Sequence, residues 1–80
     1  MSRARGVVEV VARTLADKPD GVRVTEREAR GQVFVELAMA PGDLGRVIGR
    51  QGRTAAAIRT LAALAAELDG TKVTVDFLDE

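Results

Sequence analysis

Two glycines three positions apart, Gly49 and Gly52, enclose Arg50 and Gln51 in the stretch Val47-Ile48-Gly49-Arg50-Gln51-Gly52-Arg53-Thr54. Glycine permits backbone conformations that a side chain obstructs, and it lets a ligand come up against the main chain. A helix that starts directly after such a turn offers unpaired N–H groups and a partial positive charge, which favour an anion. Arg50 and Arg53 add full charges and Gln51 adds a neutral donor, so the set suits a phosphate diester. Between Leu44 and Ala66 the only charged residues are Arg46, Arg50, Arg53 and Arg59, whereas the remainder carries eight basic against twelve acidic residues. In a chain of zero net charge, that distribution describes one focused anion-binding surface, not a general basic coat. The plain competing reading of any charge run is a solvated helix face.

Other chemistries are poorly supplied. The chain has no cysteine and no histidine, which removes disulfides, thiolate nucleophiles, the common nitrogen and sulfur metal sites, and histidine acid/base work. Asp76, Asp79 and Glu80 cluster at the chain end and read as solvated charges, while Asp43 reads as a helix cap. Converging carboxylates of the kind a metal-dependent nuclease needs are not evident. Neither the P-loop pattern nor the three-glycine dinucleotide fingerprint is present. No enzyme, no metal and no cofactor are expected.

The elements that would position the loop follow from periodicity. Val7, Val8, Val10, Val11 and Leu15 recur at helical spacing, which predicts a helix over about residues 4–17. Glu9 and Arg13 interrupt its apolar run, so it reads as an amphipathic helix and not as a secretion signal. No apolar run approaches the roughly 20 residues of a membrane span, and a soluble, cytoplasmic protein without a membrane partner is expected. Pro19-Asp20-Gly21 marks a turn. Residues 22–27 and 33–37 alternate and predict a hairpin that points Val22, Val24, Val33, Val35 and Leu37 to one covered face. Phe34 falls on the other face, either as an aromatic partly covered by a neighbour or as a self-association or ligand patch.

Asp43 can cap a short helix over residues 44–48. After the glycines, Ala55, Ile58, Leu61, Ala62, Leu64, Ala65 and Leu68 predict a second long helix, which Gly70 ends. Its alanines allow either tight packing or room for something flat. Residues 72–77 predict a third strand with Val73, Val75 and Phe77 inward. The order α-β-β-α-α-β gives an α+β fold: a mixed three-stranded sheet with three helices on one face. Eighty residues make a single domain with a small core.

With the motif placed between two helices in this order, the chain resembles a KH domain of the helix-first, type II arrangement. The segments VVEVVARTLADKPDGVRV, APGDLGRVIGRQGRTAAAIRTL and KVTVDFLDE are similar to those of the small single-domain bacterial KH proteins of the KhpA type. The resemblance implies a binder of single-stranded RNA that clamps about four nucleotides. It makes Gly49 and Gly52 the backbone clamp, Arg50 and Gln51 the side chains at the phosphates, and Arg53 and Thr54 the opening of the next helix. Arg46 would flank the sugar-phosphate track. Val47 and Ile48 are groove candidates, of which at most one is expected to line the groove. The opposite wall would be the edge of the last strand, Val73 to Phe77, where main-chain groups can pair with base edges, with Val73 and Val75 as candidates.

The resemblance further implies an RNA chaperone with roles in transcript fate, cell-wall homeostasis and cell length. Its implied partners are a second copy or a KH-containing protein of the Jag/KhpB type. Thr54-Ala55-Ala56-Ala57 lacks a basic residue that relatives tend to carry, which implies modest affinity. The alternative from another class is an interaction or dimerisation module whose RNA binding is secondary.

Overall fold

A computed structural model describes residues 2–78 and has the expected order of elements. Helix α1 spans Arg3–Leu15, strands β1 and β2 span Arg23–Ala29 and Gln32–Ala38, helix α2 spans Leu44–Ile48, helix α3 spans Arg53–Leu68, and strand β3 spans Lys72–Phe77. The sheet order is β1-β2-β3, with β1 antiparallel and β3 parallel to β2. The α2–α3 pair is the crossover that permits the parallel pairing. Because the motif lies within that crossover, the loop comes out at the edge of the fold beside β3, one of the two edge strands.

The core sits between the sheet and the helices. Val33, Val35, Leu37 and Val75 from the sheet meet Ala4, Val8 and Ala12 of α1, Val47 of α2, and Ile58, Ala62 and Ala66 of α3. The buried stripe of α1 therefore runs through residues four apart, one face of a helix. Val10 and Leu15, expected inward, are instead 65% and 37% exposed. The valine cluster is broader than the surface α3 and the sheet can cover. Where α1 meets α3 the buried residues are mostly alanines, so the small side chains serve close packing.

On the open face of the sheet the Arg27 guanidinium lies 4.8 Å from the Phe34 ring centre. Around them Gln32 donates to Thr74 (3.1 Å) and Thr25 to Glu36 (3.3 Å). Phe34 is half-buried on the central strand, covered by a neighbour in a polar lattice. The start of α1 is fastened at two points. The Ser2 hydroxyl and N–H both donate to Glu26 on β1, and the Arg3 N–H and guanidinium hold Asp69 just past α3. Those hydrogen bonds, from the Ser2 hydroxyl first and from the Arg3 N–H first, hold the Glu26 and Asp69 carboxyls below their ordinary values.

Asp43 does not cap α2. No side-chain hydrogen bond caps that helix, and the buried Asp43 carboxylate instead accepts from the N–H groups of Asp17 (3.3 Å) and Lys18 (3.0 Å). Two donors past the end of α1 outbid a helix of one turn, which ties the α1–β1 connection to the start of α2. Replacing Asp43 by Ala leaves those N–H groups without their acceptor and is expected to cost about 2 kcal/mol. Asn, which keeps one acceptor oxygen, is expected to cost less. Urea unfolding of the two variants checks the order.

Candidate nucleic-acid interface

Four residues make the turn between α2 and α3, and their backbone is unusual at three of them. Gly49 has φ 74° and ψ 177°, Gln51 φ 59° and ψ 23°, and Gly52 φ 71° and ψ 15°. Arg50–Gly52 form a single 3-10 turn, closed by the Gly52 N–H on the Gly49 carbonyl at 3.2 Å. The two glycines are required for different reasons. A Cβ on Gly49 would lie 2.4 Å from Thr54 Oγ1 and 2.9 Å from Thr54 Cβ, whereas a Cβ on Gly52 would meet nothing within 4 Å. Gly49 is thus clamped by the first turn of α3, and Gly52 turns a bare backbone towards open space. No side chain caps the N-terminus of α3, and its first turn holds no acidic residue.

The side chains of the turn divide by availability. Arg50 is exposed, and its side chain forms no hydrogen bond or ion pair among the described residues. Arg53 donates through Nη2 to Gln51 Oε1 at 3.2 Å, which fixes the two long side chains to each other. Thr54 is half-buried beneath Gly49, so it locks the turn instead of projecting from it. Arg46 pairs with Asp17 at 2.8 Å and lies 4.0 Å from Asp43. An exposed pair of this kind is weak, on the order of 0–1 kcal/mol, and readily exchanged for another anion.

Beside the turn runs an open cleft of 520 Å³ between α3 and β3. Ile48 and Gly52 form its loop end, Ala55 and Arg59 its helix wall, and Asp76, Phe77 and Leu78 its strand wall. Of the apolar pair before the glycines, Ile48 lines the cleft while Val47 is fully buried. Val47 is a core residue at 0% exposure and not a groove residue; the Val75 side chain is also buried, at 3%, while its carbonyl accepts from Arg59 at the strand edge. Val73 is half-buried against that core as well and does not line the cleft. Strand alternation turns these side chains inward and leaves main-chain groups as what they present at the β3 edge.

Arg59 is the residue that sequence reasoning left out of the site. Its guanidinium lies 4.7 Å from the Phe77 ring centre, and its Nε donates to the Val75 carbonyl at 3.3 Å. The available signal was helical phase, since Ala55 and Arg59 are one turn apart and share a face. Among the described residues no group of three or more acidic side chains is placed to hold a metal ion, and no helix is long and apolar enough to cross a membrane. Asp79 and Glu80 lie outside the described residues.

A helix-first α+β fold of this topology, with an arginine-flanked Gly-x-x-Gly turn between its second and third helices, is a type II KH domain. The family model described as "KhpA/KhpB, KH domain" matches residues 5–77. The chain is 42% identical over 79 residues to the RNA-binding protein KhpA of Aquifex aeolicus, covering 99% of this chain and all of that protein. It is 43% identical over 72 residues to KhpA of Clostridium perfringens, covering 90% of this chain and 96% of the relative. With KhpA of Leifsonia xyli the identity is 49% over 71 residues, covering 88% and 90%. The chain belongs to the KhpA/KhpB KH-domain family. The name those relatives share is that of a binding protein and not of an enzyme.

Proposed function

We propose that the protein is a single KH domain that binds single-stranded RNA, about four nucleotides at a time, with no chemistry performed on it. The turn takes the phosphates, with the bare Gly52 backbone allowing close approach and the unpaired Arg50 side chain donating, and the cleft beside it takes the bases. The observation that carries this reading is the juxtaposition, in one turn, of an uncapped helix start, a bare glycine backbone and an unpaired arginine side chain, with Gly52 at the end of a cleft. By its likeness to this family, our reading extends to a cytoplasmic RNA chaperone that acts in post-transcriptional regulation and in cell-wall and cell-length homeostasis with a Jag/KhpB-type partner.

Three or four phosphate contacts give a slope of log affinity against log salt of roughly −2 to −3, at about −0.7 per phosphate on single strands. Titration of a short unstructured RNA at several salt concentrations tests this. A slope near zero contradicts a phosphate-holding turn.

A second reading, self-association with RNA binding secondary, is favoured by a different surface from the one the sequence suggested. Phe34 is covered, but α1 and α3 share an apolar groove of 540 Å³ lined by Val7, Val10, Val11, Ala65 and Leu68, with Arg3 at its rim beside Asp69. Leu64 and Leu68 are 55% and 74% exposed on α3. The occupant this surface suits is a second copy of the chain, since a two-fold contact matches each apolar groove with its own kind. The paired Arg3 and Asp69 at the rim then supply both signs of charge to the same contact. Sedimentation velocity of the free protein is expected to show a dimer that Leu68→Glu converts to monomer. A monomer at all concentrations removes this reading.

A further inference from the structure

Arg59 stands roughly 9 Å along α3 from Arg53, at 1.5 Å per residue, and so beyond the first turn where a helix terminus attracts phosphate. Two contacts hold it. One face of the guanidinium rests on the Phe77 ring, and Nε is occupied by the Val75 carbonyl. The two Nη groups have no partner among the described residues. What remains available is therefore the Nη1–Nη2 edge, two parallel donors on a plane already oriented by an aromatic ring and a strand carbonyl. Such a fork matches two neighbouring acceptors.

Asp76 lines the same cleft. A carboxylate there repels a phosphodiester and accepts from an exocyclic amino group, so this end of the cleft is chemically a place for a base edge. Ala55, one helical turn before Arg59, keeps the wall low enough for a planar ring to approach.

We propose that Arg59 is the specificity-determining residue of the cleft, reading a base that presents two adjacent acceptors on one edge. Guanine does so through N7 and O6, and cytosine through N3 and O2. Adenine and uracil have no such pair, since each sets a donor beside its acceptors. The contact to Val75 presets the fork before RNA arrives, so little side-chain ordering is left to be done on binding. This inference rests on the RNA-binding reading, and its test separates the two.

The test uses the full chain and eight-nucleotide RNAs: all-U, all-A, and U-rich strands carrying one central G, one central C or one central 7-deazaguanine. The native protein is expected to favour the strands with a central G or C over all-U and all-A by about tenfold or more, within the range of a good bidentate base contact. If guanine is the base, 7-deazaguanine loses the preference; if cytosine, the C strand alone keeps it. Arg59→Lys retains the charge and removes the fork. It is expected to abolish the preference, bringing the G and C strands to the level of all-U, with an unchanged salt slope. Preference that survives Arg59→Lys, or native binding that is equal across all strands, overturns the base-reading role and leaves the RNA-binding reading standing. An Arg59→Gln variant weakened equally on every strand, with the salt slope reduced by about 0.7, makes Arg59 a phosphate contact instead. Failure of the native protein to bind any strand overturns the RNA-binding reading and this one together. Circular dichroism melts of both variants confirm that each is folded.

Discussion

Replacing Arg50 and Gln51 together by Asp is expected to lower affinity for single-stranded RNA about a hundredfold or more and to leave thermal stability unchanged. The affinity loss follows from what the two residues have available. Arg50 has no internal partner to compensate for its removal, and a hydrogen bond to a charged group is worth about 1.5–3 kcal/mol, of which roughly 2.7 kcal/mol is a factor of a hundred. Two new negative charges at the mouth of the cleft add repulsion where phosphate was to sit. The stability expectation follows from the backbone. Both side chains are exposed, and Gln51 already occupies a left-handed conformation with φ 59°. Aspartate tolerates that region better than most residues, so the turn keeps its shape. Fluorescence anisotropy with a labelled RNA reads the first quantity and a melting curve the second. A variant that binds as well as the native protein contradicts the assignment of the turn.

The second large effect concerns the two glycines, which are equivalent in the motif and unequal in the fold. Gly49→Ala is expected to destabilise the protein by about 3 kcal/mol, and Gly52→Ala by only about 1 kcal/mol. Gly52 is in the left-handed region, where a side chain costs about 1–2 kcal/mol, whereas Gly49, with ψ 177°, is in a region almost reserved for glycine, where the strain is about 1–3 kcal/mol. Gly49 adds a collision, because the new Cβ falls 2.4 Å from Thr54 Oγ1 and no comparable neighbour exists at Gly52. Overpacking of that kind costs about 1–3 kcal/mol. In a domain of this size 1 kcal/mol shifts the melting temperature by about 4–8 °C, so calorimetry resolves the two variants. Thr54→Ala in the Gly49→Ala background removes the closest of the colliding atoms and is expected to recover part of the loss. Equal melting temperatures for the two single variants contradict the clamping of Gly49 by α3. The same comparison separates stability from binding: Gly52→Ala is the variant expected to lose RNA affinity at small cost to the fold, since the open side of Gly52 is where a strand would approach.

Much of this architecture was readable from local pattern, and the exceptions have physical causes. Helix α2 and strand β3 match the expected residues 44–48 and 72–77, because Pro41-Gly42-Asp43, Gly49 and Gly70 punctuate them on the sides where they could have run on. The hairpin strands extend further than expected. Arg30 and Gly31 both take positive φ in a two-residue turn, and so the ladder continues to the Ala29–Gln32 pair. Helix α1 stops two residues early because the N–H groups of Asp17 and Lys18 are drawn to Asp43, about 25 positions away. Such a contact leaves no trace in periodicity. The same contact removes Asp43 from its expected cap.

At the site, the turn and its charges were legible because conformation and charge are properties of consecutive residues. The walls were not. Alternation turns the Val73 and Val75 side chains inward, as the buried Val75 shows, so the strand wall is built from the side chains of Asp76 and Phe77, which periodicity alone does not assign to a cleft. Arg59 belongs to the cleft only because the parallel crossover sets α3 beside β3 and brings its guanidinium to Phe77, 18 positions on. The exposed apolar face of α1 and α3 was hidden for the opposite reason. Its valines and leucines have core-like spacing, and only packing reveals that Ala4, Val8 and Ala12 occupy the available space.

The central claim is that one strand of RNA lies along the turn and the α3–β3 cleft. Backbone amide shifts of the labelled protein, followed during titration with a short unstructured RNA, test it most directly. The account predicts saturable changes confined to residues 48–56, Arg59 and residues 76–78, with Gly49 to Thr54 moving most. Changes centred instead on Arg27 and Phe34 of the open sheet face, or on Val10 and Leu68 of the α1–α3 groove, contradict it.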